Sequence, residues 1–197
     1  FTDRRQRQMC IRDSYFKENG EYTNAINMRV AGTKGGFSGG TYNSLTNVIH
    51  EANVNKSVRE ILNNPYGLNP VNEQSGPDIK DLRSVVYDKE AKSWIAPFVM
   101  AGINTKIVRR SNALLNYKYG KSFLYSEALL VGDGIMGKII GYLSLIPIFI
   151  VIQKKDSIIK RIVDLFVPKA GQGPSKKQRE HGFFNLKFYF NNGQQRY

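Results

Sequence analysis

Tyr125 and Glu127 stand two residues apart in a run that reads as a strand, which would place both side chains on one face. A phenol beside a carboxylate can relay a proton, and it can equally be a buried hydroxyl with its acceptor. Asn104, Arg109, Arg110 and Ser111 fall on one predicted helix. An arginine there could clamp a phosphate or carboxylate with two parallel hydrogen bonds. Neighbouring helix positions point about 100° apart, so only one of Arg109 and Arg110 can readily face a cleft. The alternative is a solvated face with one arginine laid along the surface.

Two glycine runs could receive phosphate. Gly132-Asp133-Gly134-Ile135-Met136-Gly137 spells G-x-G-x-x-G after an apolar strand candidate, and Asp156 follows 19 residues after Gly137, near the place of a ribose-binding acid. Against a nucleotide site, Pro147 arrives about ten residues into the following helix, and no further strand-helix alternation succeeds it. The second run, Gly32 to Gly40, is not a Walker A loop, because no Gly-Lys-Ser/Thr follows. Its two Gly-Gly pairs sit at a strand-to-helix junction, where exposed amides suit a phosphate or an oxyanion. Close backbone packing would explain the glycines as well. Two histidines and the single Cys10 leave no metal site and no internal disulfide.

The elements that must position these residues follow from periodicity. Asn24 to Val30 reads as a strand; Leu45, Val48, Ile49, Ala52, Val58, Ile61 and Leu62 recur at helical spacing over 41–64. Residues 65–92, rich in Pro, Gly, Asn and Asp, read as a long surface loop. Trp94-Ile95-Ala96-Pro97-Phe98 would open a second helix, with Pro97 in its first turn and Gly120 closing it. Residues 122–131 form a strand candidate, 156–166 a short amphipathic helix, and 168–180 a loop. Phe184, Leu186, Phe188 and Phe190 alternate with Asn185, Lys187 and Tyr189 in a last strand, whose neighbours should be the strands at 24–34 and 122–131. The predicted class is α+β: a mixed, largely antiparallel sheet flanked by helices.

Ile139 to Ile152 holds fourteen residues without a charge, whereas a spanning helix needs about twenty. A buried core helix is the leading reading. The other is a segment dipping into an anionic bilayer interface beside Lys154, Lys155, Lys160 and Arg161. The net charge is +13, and residues 153–197 hold ten basic against three acidic residues. No helix-turn-helix, RRM or OB signature accompanies that charge, so no nucleic acid partner is expected. An anionic membrane surface or a phosphorylated ligand fits it as well. Residues 1–14 show no useful periodicity and read as a non-native leader, and the chain as truncated at both ends.

Three stretches carry a family resemblance. Lys34-Gly35-Gly36-Phe37-Ser38-Gly39-Gly40-Thr41 runs into a helix and then Asn64-Pro65-Tyr66-Gly67-Leu68-Asn69-Pro70. Next come Trp94-Ile95-Ala96-Pro97-Phe98-Val99-Met100-Ala101, Asn104 and Ile107-Val108-Arg109-Arg110-Ser111-Asn112-Ala113-Leu114. Last is Pro168-Lys169-Ala170-Gly171-Gln172-Gly173-Pro174-Ser175 with Gln178-Arg179-Glu180 and Gly182-Phe183-Phe184. Together, over roughly residues 20–190, they resemble the saccharopine dehydrogenase-like oxidoreductases, which include the trans-acting enoyl reductases of lipid biosynthesis.

The resemblance implies that residues 15–197 are the substrate-side, C-terminal domain of an NAD(P)-dependent oxidoreductase whose Rossmann-type dinucleotide-binding domain lies outside this chain. The expected substrate is a lipid or an acyl group. On that footing Gly39, Gly40 and Thr41 are candidates for cofactor contact, Trp94, Asn104, Arg109 and Arg110 for substrate contact, and Tyr125 for the proton donor. This chain alone would bind NAD(P) weakly and be inactive. Localisation would be cytoplasmic or peripheral to a membrane, a lipid droplet or the plasma membrane, and not secreted. The alternative is a non-enzymatic lipid- or membrane-associated relative that keeps the fold.

Overall fold

The computed structural model describes residues 13–20, 23–34, 39–77, 80–152, 173, 175, 176 and 180–191. The amphipathic helix expected over 156–166, Cys10 and most of the 168–180 loop lie outside these residues. β1 (Ala25–Lys34) is an interior strand of the sheet. Its Ile26, Met28 and Val30 point to the apolar core while Asn27 and Arg29 take the opposite face, as period-two alternation requires. After it come α1 (Gly39–Val54), α2 (Lys56–Asn63), β2 (Val86–Asp88), β3 (Ser93–Pro97), α3 (Ala101–Leu114), β4 (Leu124–Gly132), α4 (Gly134–Leu143), α5 (Leu145–Ile152) and β5 (Phe183–Asn191).

The sheet order is β2-β3-β4-β1-β5. β1 pairs in parallel with β4, and the other three pairings are antiparallel. The chain is therefore α+β with a mixed, largely antiparallel open sheet, as its pattern implies. β5 lies beside β1 alone, so its expected neighbour at 122–131 is on the far side of β1. Leu186, Phe188 and Phe190 of β5 pack on a core of Ile26, Met28, Val30, Phe98, Ala101, Val108, Tyr119, Phe123 and Tyr125. Residues 13–19 are helical and include the last two positions of the expected leader; Tyr15 stacks on Phe190 at 4.6 Å, and Asp13 lies 3.8 Å from Lys118.

Four expectations need correction. The helix expected over 41–64 is two helices, because the Asn55 side chain accepts the backbone N–H of Ser57 at 2.9 Å and starts α2. The loop over 65–92 contains a strand, β2. Trp94 to Pro97 is strand and not helix. Pro97 is tolerated there because β2 covers β3 only as far as Ile95, so no partner on that side asks for its missing N–H.

The apolar segment after residue 134 is not a buried core helix. Only Gly137 and Gly141 of α4 are buried, and Ile135, Met136, Leu143 and Phe149 are each more than half exposed.

Candidate functional site

α3 organises the candidate site. Its N-terminal half lies between β4 and an apolar cavity of about 320 Å³, and its C-terminal half borders a second, more polar cavity of about 290 Å³. Leu45, Val48 and Ile49 of α1, Phe98, Ile103 and Ile148 of α5 give the first cavity its apolar wall. Such a wall suits hydrocarbon.

Lys106 also lines this cavity and is almost fully buried. Its Nζ donates to the carbonyl of Gly102 at 2.9 Å and lies 3.9 Å from Asp81 Oδ2. Burial pushes the Lys106 ammonium below the usual lysine range; Asp81 opposes that shift, and the nearby Arg109 adds to it. Asp81 is held in turn by the Thr105 hydroxyl at 2.9 Å. The cavity thus joins an apolar wall to a polar rim of Lys80, Arg83 and Lys106 with Asp81 among them.

In the other direction α3 meets β4. Tyr125 and Glu127 share a face of β4, as period two demands, and the Tyr125 hydroxyl donates to Glu127 Oε1 at 2.9 Å. Asn104 donates to Glu127 Oε2 at 2.8 Å. Arg109 is buried; it donates to the carbonyl of Tyr125 at 3.2 Å and of Pro65 at 3.1 Å, with its guanidinium 5.5 Å from the Tyr66 ring centroid. Arg110 is exposed and donates to the carbonyl of Leu68. One arginine therefore turns inward and one outward, as their helical spacing requires.

Asn104, Arg109, Tyr125 and Glu127 are thus brought into one network, buried except at the half-buried Asn104, in which Tyr125 lines neither cavity. Arg109 borders the polar cavity together with Asn112, Tyr117, Glu73 and Lys121. There the Tyr117 hydroxyl donates to Glu73 at 2.9 Å. Burial and then the Glu73 carboxylate push the Tyr117 phenol up. Trp94 stands apart on β3, edge-on to Tyr87 at 5.5 Å and 5.2 Å from Lys138 Nζ. Gly39 and Gly40 open α1 shortly after β1 ends; residues 35–38 between them are not described.

Sequence reasoning missed Lys106, Asp81 and Thr105. A signal existed: Val99, Ile103 and Lys106 follow helical spacing on one stripe, so a lysine there faces what the apolar residues face.

The glycine fingerprint has the local geometry of its type. Gly132 and Gly134 adopt φ of +104° and +58°, and a Cβ on Gly137 would lie 2.3 Å from the carbonyl oxygen of Gly132. Its surroundings do not fit a dinucleotide. The parallel neighbour of β4 is β1, which precedes it, and β5, which follows, pairs antiparallel with β1. Among the described residues no strand–helix–strand unit opens at this turn.

The chain is 35% identical over 192 residues to a Mycobacterium tuberculosis protein provisionally named a trans-acting enoyl reductase, covering 86% of this chain and 43% of that protein. It is 31% identical over 167 residues to a trans-acting enoyl reductase of Mycobacterium bovis, and 29% over 179 residues to one of Mycobacterium ulcerans. In both, the match covers 77% of this chain and 39% of the relative. The chain is a homologue of trans-acting enoyl reductases. It spans less than half the length of these relatives. No protein-family profile matches it, and no solved structure matches it.

Proposed function

We propose that this chain is the substrate-side domain of a saccharopine dehydrogenase-like enoyl reductase acting on an acyl substrate. The observation that carries the reading is the apolar cavity of about 320 Å³ with Lys106 in its wall, in a homologue of proteins named trans-acting enoyl reductase. Reduction of an enoyl group delivers a hydride to one carbon of the double bond and a proton to the other. The protein's part is to hold the acyl chain, exclude water and orient the carbonyl that activates the alkene. The α1, α3 and α5 wall would hold the chain, and Lys106 would meet its polar end. NAD(P) would supply the hydride from a domain in the part of the relatives that this chain does not span. Gly39, Gly40 and Thr41 would face that domain at the start of α1.

Displacement of a fluorescent fatty acid tests the acyl reading directly. The chain should bind the probe, and longer acyl chains should displace it better than short ones. Ile103→Glu should abolish binding, and Lys106→Met should weaken binding of a free fatty acid more than of its methyl ester. Equal binding by wild type and Ile103→Glu would overturn the assignment of the cavity.

A further inference from the structure

α4 inverts the usual amphipathic arrangement, and α5, which holds no glycine, continues its outward apolar face. In α4 the residues that pack down are glycines: Gly137 sits against the Gly132 backbone, and a Cβ on Gly141 would lie 2.7 Å from Val85 Cγ1. The large apolar residues face outward. Ile135, Met136, Ile139, Ile140, Tyr142, Leu143, Ile146 and Phe149 are between 45% and 80% exposed. Their spacing of three and four makes one continuous stripe over both helices. Soluble chains do not ordinarily leave so many large apolar neighbours in water, and a stripe of this kind marks a contact surface.

We propose that the α4–α5 face lies in the interfacial plane of an anionic lipid bilayer. Neither helix is long enough to span: α4 has ten residues and α5 eight, and among the described residues no helix is long and apolar enough to cross a membrane. In-plane insertion is the remaining way to meet acyl chains. Charge selects the lipid. α4 and α5 contain no acidic residue; their one charge is Lys138, and the sequence runs on into Lys154 and Lys155. A protein partner would ordinarily meet a polar rim with hydrogen-bonding side chains around the apolar centre. Here polar side chains on the two helices are confined to Lys138, Tyr142 and, between them, Ser144. The surface is also continuous with the cavity, because α5 contributes Ile148 to its wall while Phe149 is 63% exposed.

The inference stands apart from the reductase reading, since the surface would bind lipid whatever the cavity holds. The test is sedimentation of the chain with vesicles of phosphatidylcholine alone and of phosphatidylcholine with phosphatidylglycerol. We expect binding to the anionic vesicles that weakens with salt, and at least tenfold weaker partitioning of Ile139→Ser/Leu143→Ser. Lys138→Glu should lower binding to anionic vesicles only. The cavity variant Ile103→Glu should bind vesicles as wild type does. Should the double variant fail to fold, an environment-sensitive dye on Ile135→Cys in a Cys10→Ser background gives a second readout, shifting to the blue only with anionic vesicles. Absence of binding to either vesicle overturns the proposal, as does unchanged binding by a folded double variant. A concentration-dependent dimer that the double variant disperses, without vesicle binding, also overturns it and assigns the face to a second copy.

Discussion

Arg29 of β1 and Asp88 at the end of β2 form a buried ion pair: Arg29 Nε donates to Asp88 Oδ2 at 2.8 Å, with the side chains 1% and 4% exposed. The pair lies on the sheet face opposite the apolar core. Asp88 Oδ1 also accepts the backbone N–H groups of Glu90 and Ala91, fixing the turn that leads into β3. Arg29 makes a further bond to Ser126, and Ser126 donates to Asn27 at 2.7 Å, so β1, β2 and β4 are joined through side chains. Removing one member strands a buried charge. Asp88→Ala should therefore cost about 3–5 kcal/mol by denaturant unfolding. Asp88→Asn, which keeps the acceptor toward the turn, should cost less.

Glu127 accepts from two side chains, and its loss takes a carboxylate acceptor from both. Glu127→Ala leaves the Tyr125 hydroxyl and the Asn104 amide without this acceptor and should cost about 1–3 kcal/mol. Tyr125→Phe removes one donor and leaves Asn104 in place on the carboxylate, so its cost should be nearer 1 kcal/mol. Thermal unfolding of both variants, read at one pH, gives the order; Tyr125→Phe as the more damaging change would contradict the network.

This network shows how far the sequence could be read. Tyr125 and Glu127 belong together by strand period alone, and the opposite directions of Arg109 and Arg110 follow from helix geometry. What escaped was set by contacts distant in sequence. Trp94 to Pro97 has the Pro of a first helical turn, yet the partners Leu130, Leu129 and Ala128 on β4 hold Ile95 to Pro97 extended. Val86 to Asp88 is too short to announce itself, and its pairing with β3 defines it. The α4–α5 segment misled for a different reason. An apolar run ordinarily means burial, but in α4 glycines take the packed side and leave the large side chains outside.

That packing makes Gly137 intolerant of a side chain. A Cβ would lie 2.3 Å from Gly132 O and 2.4 Å from Gly132 C, backbone atoms that cannot swing aside. Gly137→Ala should lower stability by about 1–3 kcal/mol despite the better helix propensity of alanine. Gly102, on α3, has open space around its Cβ position, and Gly102→Ala should be neutral or stabilising. Parallel denaturant curves separate the two.

Lys106 predicts a pH dependence with a definite sign. Its folded value lies below the usual 10.5, chiefly because burial disfavours the ammonium. Between the folded value and 10.5 the unfolded chain binds more protons, so this group makes stability rise with pH across that window. Lys106→Met removes the group. The stability of the wild type relative to the variant should therefore increase as pH climbs toward 10.5, and chemical denaturation at a series of alkaline pH values measures it. A difference that stays flat or falls would mean that Lys106 is not desolvated as its place in the cavity wall requires.

The two glycine runs make opposite predictions for dinucleotide binding. Gly132 to Gly137 has the strand–turn–helix geometry, and Gly137 packs on the strand as the third glycine of a fingerprint does. Its sheet context does not match: β1, the parallel neighbour of β4, comes earlier in the chain, and among the described residues no later strand returns beside β4. NADPH should accordingly bind this 197-residue chain only weakly. A longer chain carrying the region that the relatives have beyond the match should bind it well, and Gly40→Val should then weaken that binding if the start of α1 faces the cofactor. Titration of NADPH fluorescence against both chains checks each arm. Tight binding by the shorter chain, lost in Gly134→Val, would instead make Gly132 to Gly137 a working dinucleotide loop and move the cofactor from the start of α1 to the start of α4.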